Sequence, residues 1–167
     1  VTLEPGVTNL EITRRVAAHG YYYAPDPSSQ QVCSIGGNIA ENSGGAHCLK
    51  YGFTVHHVLS LDFVLPDGEL VQIDGAGEAS GPDLMGLIIG SEGTLGIVTR
   101  AVVRILRRPE SVQTVLAAFQ GLDNAGESVS DIIAAGIVPA AVEIMDSLTL
   151  QAVEAAVQPG FPPAEAI

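Results

Sequence analysis

Two segments carry the residue types with the clearest chemical meaning. They are SIGGNIAENSGG at residues 34–45 and GSEGTLG at residues 90–96. The first sets the pairs Gly36-Gly37 and Gly44-Gly45 around Asn38, Glu41, Asn42 and Ser43. Each glycine costs backbone entropy on folding, so two clusters need a reason. Glycine-rich loops hold phosphates because backbone N–H groups reach the oxygens where no Cβ intervenes. An acidic chain can bind an anion in this way, since the donors are backbone groups rather than lysines. Neither segment is a Walker A loop, which ends in Gly-Lys-Ser/Thr. Neither is a Rossmann loop, which runs from strand through Gly-x-Gly-x-x-Gly into helix. GSEGTLG has glycines three apart and is followed by a strand-like run. The other use of such glycines is in tight turns or close packing between layers.

The titratable residues offer less. His47 follows the second glycine pair closely, while His19 falls at a predicted helix C-terminus, where its charge suits the dipole. His56 and His57 are adjacent, and on a strand they would face opposite ways. All four are read as surface or packing histidines, and Tyr51 as a core tyrosine. No catalytic residue is assigned. Cys33 and Cys48 are the only cysteines, with no Cys-x-x-Cys and no zincin-type histidine pair, so no metal site is assigned. They are expected to be free thiols in a reducing cytoplasm.

The elements that must position these residues come from an aliphatic chain. Of 167 residues, 47% are hydrophobic but only 5% aromatic, with no tryptophan, so the core must be aliphatic. A formal net charge of −12 disfavours a nucleic-acid partner. Arg100, Arg104, Arg107 and Arg108 are read as the solvated side of a strand and its exit. No apolar run approaches the length of a membrane span. The sequence opens on Val1 and its first residues lack the features of a signal peptide. Both ends look cut, and a piece of a longer protein is expected.

Residues 8–19 read as a helix, with Thr8 and Glu11 at capping-box spacing, Val7 and Ile12 as a staple, and Gly20 as the closing residue. YYYAPDPSSQQ at 21–31 is punctuated by prolines and cannot be regular helix. Residues 58–73 read as a hairpin about Pro66-Asp67-Gly68. GAGEASGP at 75–82 reads as a loop, and LMGLIIG as a short apolar element of open type. GIVTRAVVRIL places Ile97, Ala101, Val103 and Ile105 on one side and Arg100 and Arg104 on the other. Beyond Pro109 the rhythm becomes β-α-β-α: VQTVLAAF, a helix at 123–135 closed by Gly136, AAVEIM, and a helix from Ser147. A domain boundary is expected there, giving 1–108 and 109–167.

PDPSSQ, SIGGNIAENSGG, LKYGFT, the hairpin through LPDGELV, and IIGSEGTLGIVT occur in that order. In this order they resemble the FAD-linked oxidases of the vanillyl-alcohol oxidase superfamily. Within it the chain is most similar to the glycolate oxidase flavin subunit, D-lactate dehydrogenase and D-2-hydroxyglutarate dehydrogenase group. The resemblance runs from about Thr2 to Arg108, and more loosely through PAAVEIMD at 139–146. It implies an α+β fold: part of a PCMH-type FAD-binding domain, then the start of an α+β substrate domain. It also implies the cofactor, FAD. Pro25, Asp26, Pro27 and Ser28 would lie along one side of it. Ser34, Gly36, Gly37 and Asn38 would approach the pyrophosphate and flavin edge, and Asn42, Ser43, Gly44 and Gly45 would continue that wall. Glu92, Gly93, Thr94, Gly96, Ile97 and Val98 would contact the adenosine half and the other flank.

The family places another glycine-rich FAD loop upstream, and its substrate-binding, proton-accepting and metal-binding residues in the later part of the substrate domain. It also has Gly-Tyr-Asp-Leu where this sequence reads Gly81-Pro82-Asp83-Leu84. The implied activity is oxidation of glycolate or a small D-2-hydroxy acid to the 2-oxo acid by hydride transfer to flavin. The expected partners are that substrate, an electron acceptor or other oxidase subunits, and a second copy of the piece through its open cofactor face. Alternatives are a non-catalytic FAD- or partner-binding subunit, or an alkyl-glycerone-phosphate synthase.

Overall fold

The computed structural model describes residues 1–74 and 81–167. The loop read at 75–82 therefore lies, for residues 75–80, outside the described residues. Two compact units are present, Val1–Pro109 and Glu110–Ile167. Both mix helix and extended chain, in keeping with the α+β reading.

The first unit is built on a four-stranded antiparallel sheet. Its strands are β1 (Thr2–Leu3), β3 (Val58–Val64), β4 (Leu70–Asp74) and β5 (Ile97–Val103), in the order β1-β5-β3-β4. β2 (Tyr21–Tyr22) pairs separately with β6 (Leu106–Arg107). Three helices complete the core: α1 (Asn9–Val16), α2 (Ile35–Glu41) and α4 (Leu84–Ile88). Ile12, Ile35, Ile39, Met85 and Ile88 cluster with Leu3, Val58, Leu61, Phe63, Ala101 and Val103 of the sheet. A single-turn helix, α3 (Cys48–Tyr51), and a 3₁₀ turn at Thr54–His56 lead into β3.

The β3–β4 hairpin turns at Gly68, whose φ is 89°. Opposite it, β5 holds a surprise. Asp62 pairs with Arg100, but Phe63 pairs with Val98, so Thr99 is an extra residue in β5. A bulge of one residue reverses which side chains face the core. Ala101 and Val103 are buried as the alternation predicts, whereas Ile97 is turned out, 69% exposed, and Val98 takes the inward place. Arg100 grips Asp62 across the strands with both Nε (2.6 Å) and Nη2 (3.0 Å).

α1 starts and stops near the expected places. Gly20, at φ 77°, closes the 3₁₀ turn Ala17–His19 that follows it. The capping box does not form: the Thr8 side chain makes no cap hydrogen bond, and Glu11 instead pairs with Arg15 at 2.9 Å, one turn along. LMGLIIG resolves as α4, capped by Asp83, whose Oδ1 accepts from Gly86 N–H at 2.9 Å.

The second unit contains α5 (Leu122–Ala134) and α6 (Ser147–Val157). Gly136 lies just past α5 at φ 79°, and Asp146 caps α6 by accepting from Thr149 N–H at 2.8 Å. The strands read in VQTVLAAF and AAVEIM are not formed. Their only pairing among the described residues is through isolated bridges from Ala166 to Phe119 and to Asp146. A strand is defined by its partner, and periodicity within the segment does not supply one. Among the described residues, no helix is long and apolar enough to cross a membrane.

Candidate functional site

SIGGNIAENSGG folds largely as a helix. Two glycines near a helix start oppose it by propensity, so tertiary contacts must decide. Ser34 caps α2 by accepting from Gly37 N–H at 3.2 Å. Ile35, Asn38 and Ile39, at i, i+3 and i+4, are buried in the core. Gly36 is set against Pro5, where an added Cβ would come within 2.7 Å of the proline Cβ. Its N–H donates to Pro5 O at 2.9 Å, and Ile35 N–H donates to Val7 O at 2.8 Å. The N–H groups that open α2 are thus already used within the chain. In place of the N–H groups free for phosphate oxygens that the sequence reading expected, the glycines here let a neighbouring segment come close.

GSEGTLG is tied to the other end of the same helix. Gly90 N–H donates to Ile39 O and Glu92 N–H to Ala40 O, both at 2.9 Å. These are carbonyls of the last turn of α2, where intrahelical donors run out; Ile39 O has only the long bond from Asn42 N–H, at 3.3 Å, beside it. The loop tightens on itself through Thr94 Oγ1, which donates to Ser91 O at 2.6 Å, and turns at Gly93, φ 75°. Glu92 is also left-handed, at φ 54°. Gly96 fits because a Cβ there would meet the Phe63 ring at 2.6 Å.

Between the two segments lies a cavity of about 370 Å³. Ser34, Gly36, Gly37, Gly93, Ile97 and Val98 line it, all of them residues that the resemblance singles out. Pro5, Gly6, Ala40, Phe63, Ile88 and Ser91 complete the wall, and sequence reasoning did not select them. The Pro5-Gly6 turn dipeptide and the position of Ser91 inside GSEGTLG were the available signals. The lining is mostly small or aliphatic. Gly37 is the telling member: it is exposed, and an added Cβ would meet only Ser34 Oγ, at 3.3 Å. Among the described residues nothing else demands a glycine there. The cavity has room where a side chain would stand, which suits a guest laid against the backbone.

The remaining selected residues form a second group. Gly45 lies so close to Asp26 that a Cβ would overlap the aspartate backbone, and Gly44 faces Phe53, with a Cβ–ring distance of 2.6 Å. Pro25 and Pro27 are buried on either side of Asp26, and Ser28 is exposed. Asp26 Oδ2 is 2.6 Å from His47 Nδ1. Tyr51 and Tyr22 stand edge to face, 6.2 Å apart, with the His47 ring 6.3 Å from Tyr51. Burial, then the Tyr51 phenol and the Asp26 charge, raise the Tyr22 phenol well above its ordinary range.

Two asparagines do structural work. Asn38 is buried and its Nδ2 donates to Asn9 Oδ1 at 2.8 Å, while Asn9 Nδ2 donates to Pro25 O at 2.8 Å. Its side chain therefore points away from the cavity and links α2 to the Pro25–Pro27 stretch. Asn42 ends α2 in the left-handed region, φ 51°, and its Oδ1 accepts from Val55 N–H at 3.0 Å. Ser43 contributes its carbonyl, which accepts from both Thr54 N–H (3.1 Å) and Thr54 Oγ1 (2.7 Å).

Comparison with known proteins places the two units of the chain in families. Residues 1–74 match the family described as FAD binding domain, and residues 108–167 match FAD linked oxidases, C-terminal domain. The glycolate oxidase subunit GlcD of Escherichia coli K12 is 49% identical over 99% of this chain and 34% of its own length. GlcD of Bacillus subtilis is 47% identical over 96% of the chain and 35% of its own length. A D-lactate dehydrogenase of Anaerostipes hadrus is 33% identical over 87% and 31%. In structure, an alkyldihydroxyacetonephosphate synthase superposes with a TM-score of 0.79 over 95% of this chain and 28% of that one, at 24% identity. The chain spans about a third of the length of the curated relatives it matches. Residues 1–74 are thus a FAD binding domain and residues 108–167 a C-terminal domain of the FAD linked oxidases, and the cofactor of both is FAD.

Proposed function

We propose that this chain supplies a large share of the FAD site of an oxidoreductase acting on glycolate or a small D-2-hydroxy acid. One observation carries the reading. Two glycine-rich segments more than forty residues apart are bound together by the Gly90 and Glu92 N–H groups around one cavity. Among the described residues, its exposed Gly37 has no packing reason of its own. The chemistry that FAD supplies when bound is acceptance of a hydride from the hydroxyl-bearing carbon of such an acid, the hydroxyl proton passing to a base.

The roles left to this chain are binding and orientation. Gly36 and Gly37 keep the wall of the cavity free of side chains. Ser34, at the cavity edge, offers a hydroxyl. Gly93, whose N–H has no partner among the described residues, offers a donor. Phe63, Ile88, Ile97 and Val98 supply an apolar bed for a planar ring. The second group, Pro25, Asp26, Pro27 and Ser28 with Asn42, Ser43, Gly44 and Gly45, continues the same wall, and Glu92, Thr94 and Gly96 shape the other flank. Asn38 acts from behind by holding Asn9. Residues 109–167 open the substrate domain. Because the relatives from E. coli and B. subtilis are named as oxidase subunits, other subunits and an electron acceptor are the expected partners. A cytoplasmic setting suits two free cysteines, and a net charge of −12 argues against nucleic acid.

The test is the visible absorption spectrum of the chain after addition of FAD and desalting. Flavin bands should be retained, and they should weaken in Gly37→Val. Equal retention by the variant would remove the cofactor from this cavity. A second reading, a synthase of the alkyldihydroxyacetonephosphate type, is favoured by the structural likeness. It ranks second because that likeness comes at 24–25% identity against 49% for the glycolate oxidase subunit.

A further inference from the structure

Beneath the loop that carries the second glycine pair is a buried polar node outside the proposed cofactor contacts. His57 and Tyr23 are 2% and 3% exposed. Their rings meet edge to face, with centroids 5.9 Å apart. His57 Nε2 is 2.8 Å from Tyr51 O. A carbonyl oxygen only accepts, so Nε2 must carry a hydrogen. His57 Nδ1 and the Tyr23 hydroxyl have no partner at hydrogen-bonding distance among the described residues; the Thr54 side chain near the Tyr23 hydroxyl gives its own hydrogen to Ser43 O. A second hydrogen, on Nδ1, would make a buried cation with no acceptor, which is costly. Nδ1 is therefore a bare acceptor. Two buried polar groups left unpaired on neighbouring rings are what internal water satisfies.

The place of His57 in the chain gives the node its purpose. α3 is one turn long, so its last carbonyls need outside donors. Tyr51 O receives one from His57. The His57 backbone accepts from Arg104 N–H at 2.7 Å, just beyond β5, and its N–H donates to Thr54 O at 2.9 Å. Thr54 in turn holds Ser43. His57 is thus a strut, its backbone tied to the end of β5 and its imidazole to the loop that runs from Ser43 to Tyr51.

We infer that His57 is a positioning residue, fixed as the Nε2–H tautomer, that holds the Ser43–Tyr51 loop to the sheet, and that its Nδ1 and the Tyr23 hydroxyl bind one internal water. Burial, with the Arg104 and His56 charges, lowers its pKa against the pull of the Tyr51 carbonyl, in the same direction. The inference does not depend on the cofactor and is tested without it. Long-range ¹H–¹⁵N correlation of the chain should show His57 as the Nε2–H tautomer, and a long-lived water should give cross-peaks to its Hε1 that vanish in Tyr23→Phe. Amide exchange at Thr54 and Val55 should quicken by up to about tenfold in His57→Leu, the loss of one buried hydrogen bond. It should do so with little change at Leu61 and Ala101, and His57→Gln, whose amide can donate to Tyr51 O, should restore protection. An Nδ1–H or cationic imidazole would overturn the positioning role, as would uniform quickening across the sheet without rescue by glutamine. Absence of the water cross-peaks would overturn the hydration site. If His57→Leu does not fold, the tautomer and the Tyr23→Phe comparison decide alone.

Discussion

Gly36 and Gly37 are neighbours on one turn of helix, yet alanine should act on them in opposite directions. At Gly37 the new Cβ meets only Ser34 Oγ, at 3.3 Å, which a small rotation relieves. Alanine is favoured over glycine within a helix by up to about 1 kcal/mol. Gly37→Ala should therefore stabilise the unliganded fold. At Gly36 the Cβ would stand 2.7 Å from Pro5 Cβ and 3.1 Å from Pro5 O, neither of which can rotate away. Overpacking of this kind costs about 1–3 kcal/mol. With a urea slope of about 2 kcal/mol per molar, the midpoints should move about 0.5 M up for Gly37→Ala. For Gly36→Ala they should move about 0.5–1.5 M down. Tyrosine fluorescence is a clean probe, because Tyr21, Tyr22, Tyr23 and Tyr51 all lie in the first unit. In the same samples, Gly37→Ala should retain less FAD after desalting even though it is the more stable protein. Stability and binding moving apart would show that this glycine serves a guest. If Gly37→Ala is destabilised like Gly36→Ala, or retains FAD as well as the parent, the reasoning fails.

Other outcomes follow from the same geometry. Gly45→Ala should cost about 1–3 kcal/mol, since its Cβ would overlap the Asp26 backbone, and urea unfolding reads this directly. Asn38→Ala leaves Asn9 Oδ1 buried without its donor and should cost about 1–3 kcal/mol; a conservative Asn38→Ser that keeps the fold should leave FAD retention near the parent's. His57 has a folded pKa below its unfolded value of 6.5. Its contribution to stability is full above that value and declines as the pH falls toward the folded pKa, by at most about 1.4 kcal/mol per pH unit. Midpoints measured from pH 7.5 to 5 should fall less steeply in His57→Gln. Asp62 is held below the usual carboxylate range by its hydrogen bonds to Arg100. Its contribution is present above pH 3.8 and lost as the pH falls through the folded value, so Arg100→Gln should flatten the acid limb of the same profile.

Local signals reported local structure well. The Pro66-Asp67-Gly68 turn, Gly20 after α1 and Gly136 after α5 all mark real ends, because turn chemistry is set by neighbouring residues. What resisted reading depended on distant partners. Gly36 and Gly37 argue against a helix until Pro5 and the core beneath Ile35 and Ile39 are in place. Asn38 looks like a ligand-facing amide in a glycine-rich loop, and only the fold shows Asn9 behind it. The β-rich run after Pro109 has the composition of strands but finds only the bridges at Ala166. At the site, the order of motifs along the chain marked both walls of the cavity. Its floor, from Phe63 and Ile88, was invisible because ordinary core residues announce nothing about which cavity they face.

The extra residue at Thr99 sets the phase of everything before it in β5. Upstream of that point the strand is half a period out of step with its own second half. Deleting Thr99 would bring the two halves into step and leave Val98 inward and Ile97 outward, as the bulge already sets them. Pulling the bulge flat with Thr99 kept would do the opposite: Thr99 and Ile97 would turn to the core and Val98 would swing outward, exchanging two side chains that line the cavity. The bulge is thus what lets the strand carry one residue more than its partner without re-lining the mouth of the site.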